Sequence, residues 1–242
     1  MATEGGKTLT MPQAVLASGI LIAIAIFGSG FIKQSEIPTS PEMVQQEGGS
    51  EAVDELALLS NVLPIEEGVD HVRGSEDPSF IVYEYSDMDC PFCGRFHDTM
   101  KRLVEEYPEV AWVYRHLPLD GLHPDARAKA MAAECAFQQG GDDAFWALTD
   151  YIFAANPSLA EIPAVLEGYG LDVDTYGACI ENELTAERVD RDVVNAIQTL
   201  GGTDRLSTPW SIMQLPNGIL VPIRGAQPYE ALVAIIESEL NN

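Results

Sequence analysis

Two cysteines are spaced for redox chemistry, in the run Cys90-Pro91-Phe92-Cys93. If this run begins a helix, the Cys90 thiol meets unpaired backbone N–H groups and the positive end of the helix dipole, which stabilise a thiolate. Pro91 suits the first helical turn because it has no N–H to lose. Cys93 then lies one turn deeper, close enough to form a short disulfide with Cys90. We predict Cys90 as the nucleophile and Cys93 as the resolving thiol, with their disulfide as the redox centre and no other cofactor.

Half of a zinc site is the alternative for such a pair. A structural zinc ion needs a second pair of ligands. The remaining cysteines, Cys135 and Cys179, stand alone in the sequence, and the spacing of three histidines does not match either: His97, His116 and His123. We therefore predict no metal site.

The residues around the two cysteines predict a strand, a loop and a helix. Residues 80–85 are rich in β-branched and aromatic side chains and have the length of a strand. After the cysteines, apolar residues recur along one helical stripe until Pro108, at Phe96, Met100, Leu103, Val104 and Tyr107. Residues 110–117 predict a second strand.

The second half of the chain predicts a helical insertion and a closing hairpin. About ninety residues of helical pattern precede a strand at 210–215, and the turn at Asn217-Gly218 joins it to another strand at 219–221. Residues 229–240 predict an amphipathic helix. The order is β-α-β, a helical insertion at about 120–200, and β-β-α, which is an α/β fold.

Three stretches of the sequence resemble the DsbA-like branch of the thioredoxin superfamily. They are DHVRGSEDPSFIVYEYSDMDCPFCGRFH at 70–97, and the later segments STPW and RGAQPYEAL. The resemblance covers about residues 68–242. It implies a thioredoxin fold with an inserted helical domain, and thiol-disulfide exchange on cysteine-containing exported proteins.

The resemblance also assigns roles to residues outside the cysteine motif. Glu84, six residues before Cys90, matches a buried acid beneath the active site that relays the proton of Cys93. The alternative is an exposed carboxylate at the end of a strand. Thr208 and Pro209 match a cis-proline loop whose backbone pairs with an extended substrate segment. A trans proline that opens a strand is the alternative there.

Other aromatic and histidine side chains receive weaker interpretations. We expect Pro91, Phe92 and Trp210 to contribute to the substrate surface together with the cis-proline loop. Trp112 and Trp146 are predicted to be core or groove residues. We predict His97 to be a solvated residue on the helix.

The resemblance implies a disulfide between Cys135 and Cys179, because exported relatives of similar layout pair such positions. Closing this loop would stabilise the fold by about 4 kcal/mol. Two buried, unreactive thiols are the alternative. A disulfide requires an oxidising compartment, so it would place the domain outside the cytoplasm.

Residues 11–32, after an N-terminal flank at 1–10, form an uncharged and mainly apolar run. Some twenty such residues at 1.5 Å each can cross the hydrocarbon layer of a bilayer. We predict a transmembrane helix that acts as an uncleaved signal-anchor, so the protein would be a single-pass cell-membrane protein. A cleaved signal peptide is the alternative, because residues 28–30 are small. Residues 33–67 are predicted to be a linker to the domain at 68–242.

The charge of the chain restricts its partners. With 13 basic and 38 acidic side chains the formal charge is −25, which excludes a nucleic-acid-binding surface.

Phe92 stands where the best-known oxidant of the family has a histidine, so we expect a milder oxidant. We predict disulfide formation, with isomerase or reductase activity of the same fold as the alternative. An oxidase needs a membrane recycling partner, DsbB-like or vitamin K epoxide reductase-like, whereas a reductase needs a reductant donor. A non-catalytic, membrane-tethered binding or chaperone module is the alternative from another functional class.

Overall fold

The computed structural model describes residues 55–241, except for the side chains of residues 183 and 184. A five-stranded sheet has the order β1-β3-β2-β4-β5. Strands β2 and β3 are parallel, and the other neighbours are antiparallel. The strands are β1 His71–Gly74, β2 Phe80–Ser86, β3 Val110–His116, β4 Trp210–Gln214 and β5 Leu220–Arg224.

Helices surround the sheet. Those that follow β2 are α1 Pro91–Glu106, α2 Ala126–Ala155, α3 Ile162–Gly168, α4 Val173–Ile180, α5 Glu183–Leu200 and α6 Tyr229–Leu240. Residues 55–59, before β1, are also helical. Helices α2 to α5 are inserted between β3 and β4, as the helical pattern predicted. Gly141, at φ 65°, interrupts α2 with a kink, a conformation that glycine adopts without steric cost.

The two faces of the sheet bury separate sets of apolar side chains. One set includes Val82 of β2, Phe96 of α1 and Trp112 of β3. The opposite set includes Tyr85 and Trp210, packed with Leu59. Because successive side chains of a strand point to opposite faces, Glu84 lies on the side of Val82. Helix α1 and the cysteines at its start cover this same face.

A disulfide joins the helices of the insertion. Cys135 of α2 and Cys179 of α4 are bonded, with their Cα atoms 5.8 Å apart. The pairing is the one that the resemblance implied.

The N-terminal boundary of the packed domain differs from the prediction. Residues 55–67, which we assigned to the linker, lie against the sheet: Leu59 is 1% exposed. The guanidinium of Arg115 donates to the carbonyl oxygens of Leu63 and Pro64 at 2.8 and 3.3 Å. This part of the predicted linker is therefore held by long-range contacts. The N-terminal flank, the predicted transmembrane helix at 11–32 and the linker up to residue 54 lie outside the described residues. Within 55–241, no helix has the length and apolar character needed to cross a membrane.

Candidate active site

Helix α1 begins at the cysteine motif, with Cys90 as its N-cap and Pro91 in its first turn. The Cys90 backbone N–H donates to the Asp87 carbonyl at 3.1 Å, and the Gly94 N–H donates to the Cys90 carbonyl at 3.1 Å. These bonds fix the cysteine at the amino end of the helix, where N–H groups are free to face the sulfur. The Cys90 residue is 6% exposed.

The Cys90 sulfur is placed to carry a negative charge. Its pKa is lowered to about 5 by a hydrogen bond from the Cys93 thiol, with further hydrogen bonds from Thr208 and from the backbone N–H groups of Cys93 and Phe92. Burial acts in the opposite direction and is outweighed. These surroundings favour the thiolate of Cys90 at neutral pH, which is the nucleophilic form of cysteine.

Cys93 is held in the opposite protonation state. Its side chain is fully buried, and burial, followed by the hydrogen bond to Cys90 and the charge of Glu84, raises the pKa of its thiol. The backbone N–H of Asp87 points at the Cys93 sulfur from 3.4 Å. The site thus holds one anionic and one protonated sulfur, and a partner that exchanges a proton with Cys93 is needed whenever its disulfide opens.

Glu84 is fully buried on the cysteine side of the sheet. The indole N–H of Trp112 donates to Glu84 Oε2 at 2.8 Å, whereas Oε1 has no hydrogen-bond partner of good geometry within residues 55–241. Burial raises the pKa of Glu84 to about 7, against the stabilising contacts of Ser86 and Trp112. The exposed strand-end carboxylate that we considered is excluded, and the carboxyl can exchange a proton near neutral pH.

The loop before β4 faces the cysteines. The Thr208–Pro209 peptide bond is cis, and the Cys90 sulfur lies 3.6 Å from the Thr208 carbonyl oxygen. Thr208 is half-buried and Pro209 is buried. The trans alternative is therefore wrong, and the main chain before the proline borders the reactive sulfur.

Two exposed features adjoin Cys90. The Phe92 side chain is 53% exposed, with the Arg95 guanidinium 4.5 Å from its ring centre. A cleft of about 350 Å³ opens between the start of α1 and the end of α2, lined by Asp89, Cys90, Arg95, Asp98, Phe153 and Asn156. Both features form an accessible surface beside Cys90.

Known proteins share this arrangement. The thioredoxin family model matches residues 66–237. The crystal structure of Pseudomonas aeruginosa DsbA2 is 31% identical, with a TM-score of 0.59 over 72% of this chain and 94% of that chain. The chain belongs to the DsbA-like branch of the thioredoxin superfamily. This membership agrees with the resemblance found in the sequence.

More distant structures share the fold of this DsbA-like protein. The catalytic domain of Proteus mirabilis ScsC is 20% identical, with a TM-score of 0.60 over 78% of this chain and 98% of that chain. Wolbachia pipientis alpha-DsbA1 is 19% identical, with a TM-score of 0.60 over 74% of this chain and 94% of that chain.

Curated relatives are much longer proteins. The Na(+)/H(+) antiporter NhaA 3 of Salinispora tropica is 35% identical over 159 residues, which are 64% of this chain and 23% of the antiporter. For NhaA 1 of Salinispora arenicola, 35% identity extends over 60% of this chain and 22% of the antiporter. The DsbA-like chain therefore spans less than a quarter of the length of these relatives.

Two side chains of the DsbA-like domain lie elsewhere than expected. The indole of Trp210 is buried and donates to Thr199 Oγ1 at 3.1 Å, and it lines a cavity separate from the cleft at Cys90. The structure does not bring this side chain to the substrate surface. His97 is also buried, and its Nε2 lies 2.7 Å from Asp150 Oδ1, so the prediction of a solvated histidine is wrong. In both cases the covering residue comes from the helical insertion.

Sequence reasoning missed Asp87, which is 1% exposed directly before the cysteine motif. Its Oδ1 accepts from the Asp89 backbone N–H at 2.8 Å, and its Oδ2 accepts from the Leu119 N–H at 2.7 Å. The only signal in the sequence was an acidic residue in the loop between the strand and the motif. Asp87 ties the cysteine loop to the loop that follows β3.

A second buried group, also missed, combines His71, His116 and Glu134. Both Nε2 atoms lie 3.0 Å from Glu134 Oε1, and the three residues could together hold a cation. Arg188 Nε lies 3.6 Å from the same oxygen. Burial acts against the Glu134 carboxylate, but hydrogen bonds from the two histidines outweigh it and lower the pKa. The histidines and the guanidinium already balance the carboxylate, so we assign the group to the core.

Proposed function

We propose that this protein forms disulfide bonds in cysteine-containing exported proteins, with Cys90 as the nucleophilic centre and Cys93 as the resolving thiol. The observation that carries the proposal is the position of Cys90 as the N-cap of α1, where the surroundings lower the pKa of its thiol to about 5. A stable thiolate favours the reduced enzyme, and an enzyme whose reduced form is favoured has an oxidising disulfide.

The first exchange step uses the contrast between the two sulfurs. A substrate thiolate attacks Cys90 Sγ of the Cys90–Cys93 disulfide, a bond forms between the substrate sulfur and Cys90, and the electron pair of the broken bond leaves on Cys93. Because the pKa of Cys93 is raised, this sulfur needs a proton. Glu84, whose pKa is about 7, supplies it directly or through a water molecule.

The second step releases the product. A second substrate thiolate attacks the substrate sulfur of the mixed disulfide, and Cys90 leaves with the electron pair as a stable thiolate. The substrate departs with a new disulfide, and the enzyme retains the two electrons. If the second substrate thiol is absent, Cys93 instead attacks Cys90 and frees the trapped substrate.

The substrate segment is held at the rim of the site. The Thr208 backbone beside Cys90 can pair with an extended segment, as a strand adds to a sheet edge. The exposed Phe92 ring and Pro91 provide apolar contact on the opposite side. Direct participation of Trp210 is not part of the proposal, because its indole is buried.

We propose an extracytoplasmic domain attached to the cell membrane through residues 11–32. The Cys135–Cys179 disulfide supports an oxidising compartment. Reoxidation would then require a DsbB-like or vitamin K epoxide reductase-like membrane protein that passes the electrons to quinone, and the anchor would keep the two partners near each other.

The decisive measurement is the equilibrium of the Cys90–Cys93 couple with glutathione. We expect a potential between about −120 and −200 mV, milder than DsbA because Phe92 replaces the motif histidine. A value near the roughly −270 mV of thioredoxin would contradict oxidation and favour a reductase that needs a reductant donor. A Phe92→His variant is the matched control and should be more oxidising than the wild type.

Refolding of a reduced, disulfide-requiring protein separates catalysis from binding. The oxidised wild type should accelerate disulfide formation, and Cys90→Ser should not. Equal refolding with Cys90→Ser would favour the non-catalytic binding or chaperone module. Cys93→Ala should retain substrates as mixed disulfides on Cys90, which mass spectrometry can identify.

A further inference from the structure

His123 lies in the loop between β3 and α2, and the exchange steps above do not use it. Its Nδ1 is 2.9 Å from Asp87 Oδ2. Its backbone N–H donates to the Leu119 carbonyl at 2.9 Å, and its own carbonyl accepts from the Ala126 N–H at 3.2 Å. The ring and the main chain of this histidine are therefore both fixed.

Asp87 connects the histidine to the cysteines. The Asp87 backbone N–H points at Cys93 Sγ from 3.4 Å, while its carboxylate binds the His123 ring and the Leu119 N–H. The carboxylate is buried, so these bonds are shielded from competing water. One residue thus sets the position of the imidazole relative to the redox pair.

The groups that face His123 are negative. Burial lowers the pKa of the imidazole, but the Asp87 carboxylate, the Cys90 thiolate and Asp89 together outweigh it and raise this pKa. Asp89 is itself paired with Lys129 of α2. In the same loop, Asp120 is exposed and paired with Arg127. His123 is therefore a titratable cation in electrostatic range of the reactive sulfur.

An interaction between two charges acts on both partners equally. If the Cys90 thiolate favours the protonated imidazole, the protonated imidazole favours the thiolate. The motif itself lacks this contribution, because Phe92 occupies the position between the cysteines where a histidine would supply it. His123 is connected to the redox pair through Asp87, from a different segment of the chain.

We propose that His123, oriented by Asp87, is a positioning residue that stabilises the Cys90 thiolate and makes the Cys90–Cys93 disulfide more oxidising while the imidazole is protonated. The proposal rests on the exchange activity of Cys90. No covalent change at the histidine is involved. As the imidazole loses its proton, the disulfide becomes a weaker oxidant for a reason separate from the titration of substrate thiols.

The test compares His123→Gln with the wild type in glutathione buffers at about pH 6 and about pH 8.5, together with the thiolate absorbance of Cys90 as a function of pH. We expect the equilibrium constant for oxidising glutathione to fall about three- to tenfold at the lower pH, up to about 30 mV. The difference should shrink at the higher pH. The Cys90 pKa should rise in the variant.

A lysine and a control in the same loop complete the test. His123→Lys keeps a cation at both pH values, so it should retain an oxidising disulfide and show less dependence on pH than the wild type. Asp120→Asn, which changes an exposed charge in the same loop, should match the wild type. Comparison of His123→Lys with the wild type also covers the case in which His123→Gln fails to fold.

Two results would overturn the inference. One is an unchanged equilibrium at the lower pH in folded His123→Gln; the other is an equal loss at both pH values that the lysine does not restore, which indicates a structural role. A wild-type protein without a measurable glutathione couple would instead refute the proposed function, and this inference with it. The wild-type measurement therefore separates the two failures.

Discussion

The two cysteine pairs of this molecule have the same residues and opposite surroundings. Cys90 and Cys93 are free thiols at the start of α1, whereas Cys135 and Cys179 are bonded between two helices of the insertion. Backbone N–H groups face Cys90, and Glu84 acts on Cys93. Cys179 instead has neutral neighbours, with the Gln138 amide and the Thr185 hydroxyl each 3.5 Å from its sulfur.

The difference shows that the environment, and not the residue type, decides which pair exchanges. The Cys90 sulfur is bordered by an exposed aromatic ring and a cleft, so a substrate can reach it. Cys135 is completely buried. The first pair is suited to change its redox state, and the second is suited to hold the fold together while it does so.

Removal of the Cys90 sulfur from the first pair and of both sulfurs from the second pair should give the largest contrast. Cys90→Ser should abolish thiol-disulfide exchange in a coupled assay, because no other described thiolate faces a substrate. The oxidised Cys135→Ala/Cys179→Ala variant should retain exchange at temperatures where it is folded. Exchange by Cys90→Ser above background, carried by the second pair, would break the comparison.

The same double variant should lose about 4 kcal/mol of unfolding free energy, because the 44-residue separation leaves a long loop open in the unfolded chain. Urea unfolding followed by circular dichroism measures this loss. Reduced Cys90→Ala/Cys93→Ala, measured at about pH 5 where little of the stabilisation by the Cys90 thiolate remains, is the matched control and should show a smaller loss of stability. A similar loss from both pairs would contradict the division between a reactive and a structural pair.

Glu84→Gln should affect the first pair alone. Removal of the proton donor should slow exchange about 100-fold near neutral pH, while leaving the Cys135–Cys179 disulfide intact. Exchange rates with a model thiol substrate, measured from about pH 5 to about pH 9, test this. An unchanged rate profile would exclude Glu84 from the proton transfer.

Glu84 and Cys90 have pKa values shifted in opposite directions in the reduced site. Their contributions to the stability of the reduced protein should therefore depend on pH with opposite sign. Glu84 has a raised pKa, so its stabilising effect is complete below pH 4.5 and is lost as the pH rises through about 7. Cys90 has a lowered pKa, so its effect is complete above pH 9 and is lost as the pH falls through about 5. Glu84→Gln should therefore stabilise the reduced protein at about pH 8 by up to about 3 kcal/mol and leave its stability at about pH 4 unchanged.

Trp112→Phe should have the smallest effect. It removes the hydrogen bond to Glu84 Oε2, a bond to a charged group that stabilises the carboxylate. We expect the pKa of Glu84 to rise by up to about one unit. Infrared or NMR titration of the carboxyl measures the shift, and a fall of the pKa would contradict the assigned contact.

Local patterns predicted most of the elements around the reactive pair. The final helix was predicted at the bounds that the structure shows, and the predicted strands were found with ends shifted by one or a few residues. Strand β1 was missed because it is only four residues long, His71–Gly74, and pairs with β3 alone at the edge of the sheet.

The errors concern contacts between residues far apart in the sequence. His97 was expected in water, but Asp150 covers it from a helix 53 residues later. The periodicity of helix α1, which contains His97, cannot indicate a partner from another helix. Likewise, Glu134 joins His71 and His116 only after the insertion packs on the sheet. The spacing of these three residues along the chain could not have predicted that they are in contact.

If residues 11–32 anchor the protein in a membrane, the hydrogen bonds from Arg115 to Leu63 and Pro64 would shorten the tether between the anchor and the domain. If the chain were free from residue 33 to 67, the domain could move about 120 Å from the end of the proposed anchor, at about 3.5 Å per extended residue. With residues 55–67 docked on the sheet, the same calculation allows roughly 75 Å. The domain would therefore stay closer to the bilayer. A shorter distance would raise its local concentration for any recycling enzyme in the same membrane.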